Sequence, residues 1–210
     1  MCTKHKMISE MNFEKFLIIN GRELSYKGIF RIDDLYSTIN RAIEEQGYTK
    51  REKKSEETVR EEGRNVYVEL RPWKEVTSYL TLMIKIKIIA DNITETVGVV
   101  NGEKRVFQNS DLTIVFDGWI LTDYKDRWGM KPFFWFVKNM ASKYLWKGKI
   151  ENEIFGELAG DVAHIYARIK KQLNSYRGGE GEIVREEDVI KEVEKELEKD
   201  IAEAKKEVKL

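Results

Sequence analysis

Leu80-Thr81-Leu82-Met83-Ile84-Lys85-Ile86-Lys87-Ile88 alternates with a period of two. Leu82, Ile84, Ile86 and Ile88 fall on one side, and Met83, Lys85 and Lys87 on the other. Only a pleated strand sorts residues in this way, and one apolar face opposite one wet face is the habit of an antiparallel sheet. Downstream, Thr96 to Val100, Asn101-Gly102 and Glu103 to Phe107 read as a hairpin, because Asn-Gly suits the positive φ values of a type I′ turn. Leu112 to Leu121 follows as a strand, with Leu112, Ile114 and Phe116 against Val115, Asp117 and Trp119. Upstream, Val66 to Leu70 is a β-type run. The centre of the chain is therefore a meander of roughly four antiparallel strands.

The flanks add helices and two more short strands. Phe13 to Ile19 and Leu24 to Phe30 read as strands separated by a turn at Asn20-Gly21. Ile32, Leu35, Ile39, Ala42 and Ile43 recur at helical spacing, with Asp33 and Asp34 in the first turn and Gly47 as the stop. Thr49 to Arg64 is almost entirely charged and reads either as a long exposed hairpin arm or as a disordered loop. Pro132 fits the first turn of an aromatic helix running to Trp146. A longer helix carries the stripe Ile150, Ile154, Leu158, Val162, Ile165, Ile169, Leu173 and Tyr176. It would span roughly 40 Å, more than the sheet needs. The order of elements predicts an α+β fold: an antiparallel meander packed by helices, with long C-terminal helices.

Composition sets further bounds. The chain has 210 residues, enough for one domain with a sizeable core, and 35% of them are charged. Lys+Arg and Asp+Glu number 37 each, so the overall field favours neither nucleic acid nor an anionic membrane. The balance is uneven along the chain. Gly178 to Leu210 holds 12 acidic and 7 basic residues, leaving 30 basic and 25 acidic to residues 1–177. This predicts an α+β body over 1–177, a glycine-rich hinge over 178–182 and an acidic amphipathic terminal helix over 183–210. Such a tail can fold back on its basic body until a partner displaces it. One cysteine excludes a disulfide framework, and no apolar run is long enough for a signal peptide or a membrane span. A cytoplasmic location is expected.

Motifs for catalysis are sparse. Glu153, Glu157, Asp161, His164 and Arg168 share one helical face, but no second helix offers matching ligands. The solvated face of an amphipathic helix, braced by i,i+4 pairs, is the better reading. Asp117, Asp123 and Asp126 lie close in sequence without a phosphate loop, nucleophile elbow or Cys/His pair beside them. No catalytic, metal-binding or cofactor-binding residue is assigned, and no cofactor is expected.

Features suited to binding are more distinct. Gly156, Gly160, Ala163 and Ala167 make a seam of small residues on the long helix, suited to close packing within the chain or across a homodimer. Ile190, Val193, Leu197 and Ile201 form the apolar stripe of the terminal helix. Phe133, Phe136, Met140 and Tyr144 make one face of the aromatic helix, which either closes the core or roofs an apolar ligand cavity. Lys85 and Lys87 project from the wet face of the sheet, but the glutamates that interleave with Lys50, Arg51, Lys53 and Lys54 weaken any field for a phosphate backbone.

The run Trp119-Ile-Leu-Thr-Asp123, followed by Trp128, Pro132 and the aromatic helix, resembles small α+β proteins without assigned function from archaeal genomes. The likeness covers residues 24 to 176, omits the acidic tail, and implies fold and compartment only. The expectation that follows from the residues is a non-catalytic interaction or assembly factor, self-associating through its long C-terminal helices as a homo-oligomer or with a protein partner. The alternatives are an apolar-ligand or lipid-binding module and a regulatory factor docking on an RNA–protein complex. No DNA-binding signature is present.

Overall fold

The structure is a computed structural model that describes residues 14–60, 63–77, 80–100, 103–122, 149–176 and 186–207. Six strands occur among them: β1 (Glu14–Phe30), β2 (Glu52–Arg60), β3 (Gly63–Leu70), β4 (Trp73–Glu75), β5 (Leu80–Val100) and β6 (Glu103–Thr122). Three helices accompany them: α1 (Ile32–Glu45), α2 (Lys149–Ser175) and α3 (Glu186–Glu207). All strand pairs are antiparallel, in the order β1-β6-β5-β3-β2, with β4 beside β5. The fold is thus α+β, as the alternation of residues 80–88 predicts.

Register converts that alternation into a core. Ile86 stands opposite Phe116 and Leu70, and Ile88 opposite Ile114 and Val68. All six are buried. α2 covers this face, contributing Leu158, Val162, Ile165 and Ile169, and its Tyr166 ring lies 5.9 Å from that of Phe116. α1 packs on α2 with Leu35, Ile39, Ala42 and Ile43 turned inward. α3 packs on α2 and β1. Burying an Ile or Leu side chain contributes roughly 1.5–3 kcal/mol each, so this layer dominates the stability of the fold.

Two segments differ from the reading of the sequence. Phe13–Ile19 and Leu24–Phe30 are not separate strands: residues 14–30 run as the single β1, paired along its length with β6. Gly21 does not reverse the chain. Its φ of 66° forms a bulge, marked by register shifts at Leu17/Ile19 and Ile19/Arg22, and its N–H donates to Asp117 Oδ1 on β6 at 2.9 Å. That acceptor lies 96 residues away, so local turn chemistry could not reveal it. The charged segment 49–64 forms edge strand β2 and enters β3, so the hairpin alternative holds there. Charges suit an exposed edge because they discourage pairing with other chains.

The helix expected over Pro132–Trp146 and the hinge expected over 178–182 lie outside the described residues. The terminal helix appears as α3, seated against the body by its apolar stripe and by ion pairs Arg22–Glu196 and Lys171–Glu186. No helix among the described residues is long and apolar enough to cross a membrane.

Candidate functional site

The face of the sheet turned away from the helices is where polar groups converge. Lys85 stands opposite Asp117, Met83 opposite Trp119 and Trp73, Leu17 opposite Trp119, and Lys87 opposite Glu69. Continuing the register beyond Leu70–Ile86 brings Arg71 beside Lys85. Asp117 Oδ2 lies 3.5 Å from Lys85 Nζ and 3.4 Å from Lys87 Nζ, while its other oxygen accepts from Gly21. Glu69 accepts from Arg71 Nε at 2.5 Å and from the Tyr67 hydroxyl at 3.1 Å. Lys15 Nζ rests over the Trp119 ring, 3.6 Å from its centre.

Lys15, near the start of β1, shares a row with Leu121, Thr81 and Glu75, one row beyond Trp119. Partial burial first, and then the charges of Arg71, Lys85 and Lys53, hold its ammonium below the ordinary lysine range, with Asp117 opposing them.

On the helix side, a second polar cluster sits between β4 and α2. The Tyr48 hydroxyl donates to Asp161 Oδ2 at 2.9 Å, and Lys74 Nζ donates to the same oxygen at 3.1 Å and pairs with Glu157 at 2.8 Å. Burial raises the Asp161 pKa despite those donors. The five-residue polar face read from the sequence is thereby divided. Glu157 and Asp161 serve Lys74, whereas Arg168 bridges Glu45 and Glu186, joining all three helices. His164 Nε2 lies 4.0 Å from Glu186. Among the described residues no three His, Cys, Asp or Glu side chains come together as a metal site.

The expected interaction residues take distinct positions. Ala163 and Ala167 are buried in the core, Gly160 faces Glu194 of α3, and Gly156 is exposed. Val193, Leu197 and Ile201 are buried, and Ile190 packs half-buried beside them. Phe133, Phe136, Met140 and Tyr144, offered for an apolar cavity, lie outside the described residues. Two polar clefts among the described residues flank α1. One, of about 280 Å³, has Arg41, Arg168 and Lys171 in its wall, together with Ser37 and Ser175.

The sequence marked Lys85 and Lys87 but missed Lys15, Arg71 and Trp119 as their neighbours. The alternating Lys residues were a usable signal for the face. Their placement on neighbouring rows of one face depends on long-range register and has no local signature. No family model matches the chain, and neither the curated proteins nor the solved structures contain a match to it.

Proposed function

We propose that the chain is a non-catalytic interaction factor that self-associates through its long C-terminal helices. The observation that carries this reading is the half-used seam on α2. Ala163 and Ala167 are spent in the core, and Gly160 looks onto α3. Gly156 is exposed, and a Cβ placed there would meet nothing within 4 Å. Glycine in a helix interior costs about 1 kcal/mol against alanine, a cost that close approach of a second helix offsets. A helix from a second copy can cross α2 at Gly156 with α3 still in place. The stripe of α3 is different: Val193, Leu197 and Ile201 reach a partner only if copies exchange α3, a route favoured by the Gly178-Gly-Glu-Gly-Glu182 sequence before it.

Sedimentation velocity of the full chain over a concentration series tests the proposal. The expected result is a concentration-dependent dimer that Gly156→Lys converts to a folded monomer with unchanged far-UV circular dichroism. A single monomeric species at every concentration overturns self-association. A dimer indifferent to Gly156→Lys removes the seam as its contact.

A further inference from the structure

We propose that the cleft between α1 and α2 binds a small sugar phosphate, its phosphate among Arg41, Lys171 and Arg168 and its hydroxyls against Ser37, Thr38 and Ser175. The proposal is independent of self-association. It begins from how the two helices meet. They run antiparallel, pinned at one end where Arg168 reaches Glu45 and at the other where the Tyr176 hydroxyl donates to Asp34. Between these pins the buried Ala42 forms the floor, a side chain too short to fill the space above it. The result is a cleft of about 280 Å³, just below the roughly 300 Å³ at which small-molecule sites begin.

Antiparallel packing sorts the wall by charge. Arg41, Arg168 and Lys171 stand toward the Glu45 end, and Ser37, Thr38, Gln172 and Ser175 toward the Asp34 end. No carboxylate is among the described residues of the wall. Glu45 and Glu186 hold Arg168 and Lys171 from outside it, so three cations face two carboxylates. Arg41 has no ion pair or hydrogen bond among the described residues. A phosphate dianion supplies the missing negative charge. An ammonium carries three donors and a guanidinium five, so Lys171 and Arg168 can serve it while keeping their carboxylates. Charge-assisted bonds of this kind are the strong ones.

The neutral end sets the rest of the ligand. Hydroxyl and amide side chains both donate and accept, which matches the hydroxyls of a sugar and not an apolar chain. Ser175 donates to the Gln172 carbonyl of its own helix, and its lone pairs remain for a ligand. α2 ends at Ser175, so its last carbonyls disfavour an anion there and accept from hydroxyls. No aromatic ring lines the cleft among the described residues, so a nucleobase has no platform.

Calorimetric titration of the full chain with ribose 5-phosphate, ribose and inorganic phosphate tests this. Ribose 5-phosphate is expected to bind more tightly than either ribose or phosphate. Its affinity should fall about tenfold in Arg41→Gln, which removes an exposed cation and leaves far-UV circular dichroism unchanged. Ser37→Ala should weaken the sugar phosphate about fivefold and inorganic phosphate not at all. Lys199→Gln removes the same charge about 20 Å along α3 from Glu186 and should change nothing. In an NMR titration the amides that the ligand shifts should lie in residues 37–42 and 168–175. No binding of ribose 5-phosphate, an affinity unchanged by Arg41→Gln, or phosphate binding as tightly as its sugar ester would each overturn the assignment. So would equal losses in Arg41→Gln and Lys199→Gln, the mark of a general charge effect.

Discussion

Two triads on opposite faces of the sheet use the same chemistry and arrive at opposite electrostatics. Beneath the helices, Asp161 receives a tyrosine hydroxyl from Tyr48 and a cation from Lys74. On the opposite face, Glu69 receives a tyrosine hydroxyl from Tyr67 and a cation from Arg71. Burial is the leading influence on both carboxyls and pushes both upward. At Asp161 it prevails, and the pKa is raised. At Glu69 the Arg71 bond and charge, with the Tyr67 bond, prevail and the pKa is lowered. Both carboxylates are buried, and the difference lies in their partners: Tyr48 is buried, whereas Tyr67 is only half-buried. The face under α2 is packed with apolar side chains, while the other carries mutually paired charges.

The largest test of this division lies within β5 itself. Ile86 is fully buried against Phe116 and Leu70, whereas Ile89 sits on the opposite face and is only half-buried. Ile86→Ala should cost roughly 4 kcal/mol through lost transfer and a residual cavity, and Ile89→Ala well under half of that. Urea denaturation measures both. Equal losses would mean that the two faces are equally closed.

Next in size is the cation of each triad. Lys74→Met leaves Glu157 and Asp161 without their shared counter-ion beside a closed interface. The loss should be about 2 kcal/mol, below the range for fully buried pairs because Lys74 and Glu157 keep some contact with solvent. Adding Asp161→Asn should return part of it, since only one carboxylate then remains. Arg71→Met on the opposite face should cost less, about 1 kcal/mol, because it strands one carboxylate rather than two and the Tyr67 hydroxyl still donates to Glu69. A double-mutant cycle in denaturant reads both couplings.

Acid titration sharpens the contrast in sign. Glu69, with its pKa lowered by folding, contributes stability that is present above the ordinary carboxylate range and is lost as pH falls through its folded value. Glu69→Gln should therefore be less stable than wild type near neutrality, and the gap should close on acidification. Asp161, with its pKa raised, does the reverse: ionising it opposes folding, and that opposition disappears as pH falls through the raised value. Acidification should therefore favour the wild type relative to Asp161→Asn. Thermal melts across the acid range follow both differences, and parallel curves for the two variants would contradict the assignment.

How much of this the sequence discloses depends on how local the cause is. The alternation in 80–88 and the stripe of α1 were legible because period and neighbours alone determine them. The same reasoning set the small residues of α2 apart. The two triads were not legible. Tyr48 and Asp161 are separated by 113 residues, and nothing in the spacing of Glu157 and Asp161 names Lys74 as their partner. The bulge at Gly21 failed for the same reason: Asn-Gly is a turn signal until Asp117 on β6 offers its carboxylate. Positions whose partners are distant in sequence become readable only once register is known.

The smallest effect asks whether the helical layer gives up stability for self-association. Gly156 lies inside α2, and a Cβ there would have no atom within 4 Å, whereas a Cβ at Gly160 would sit 3.6 Å from a Glu194 carboxylate oxygen, an ordinary contact. Neither glycine is required by the fold of a single chain. Gly156→Ala should therefore stabilise the monomer by roughly 0.5–1 kcal/mol through the unfolded state, and Gly160→Ala by less, since it crowds α3 slightly. A gain in melting temperature with dimerisation intact means the seam tolerates a methyl group. A gain accompanied by weaker dimerisation means that α2 keeps its glycine for a second helix, so association is built into the helical layer. A loss of stability would place an atom against Gly156, and the open flank on which the self-association argument rests would be gone.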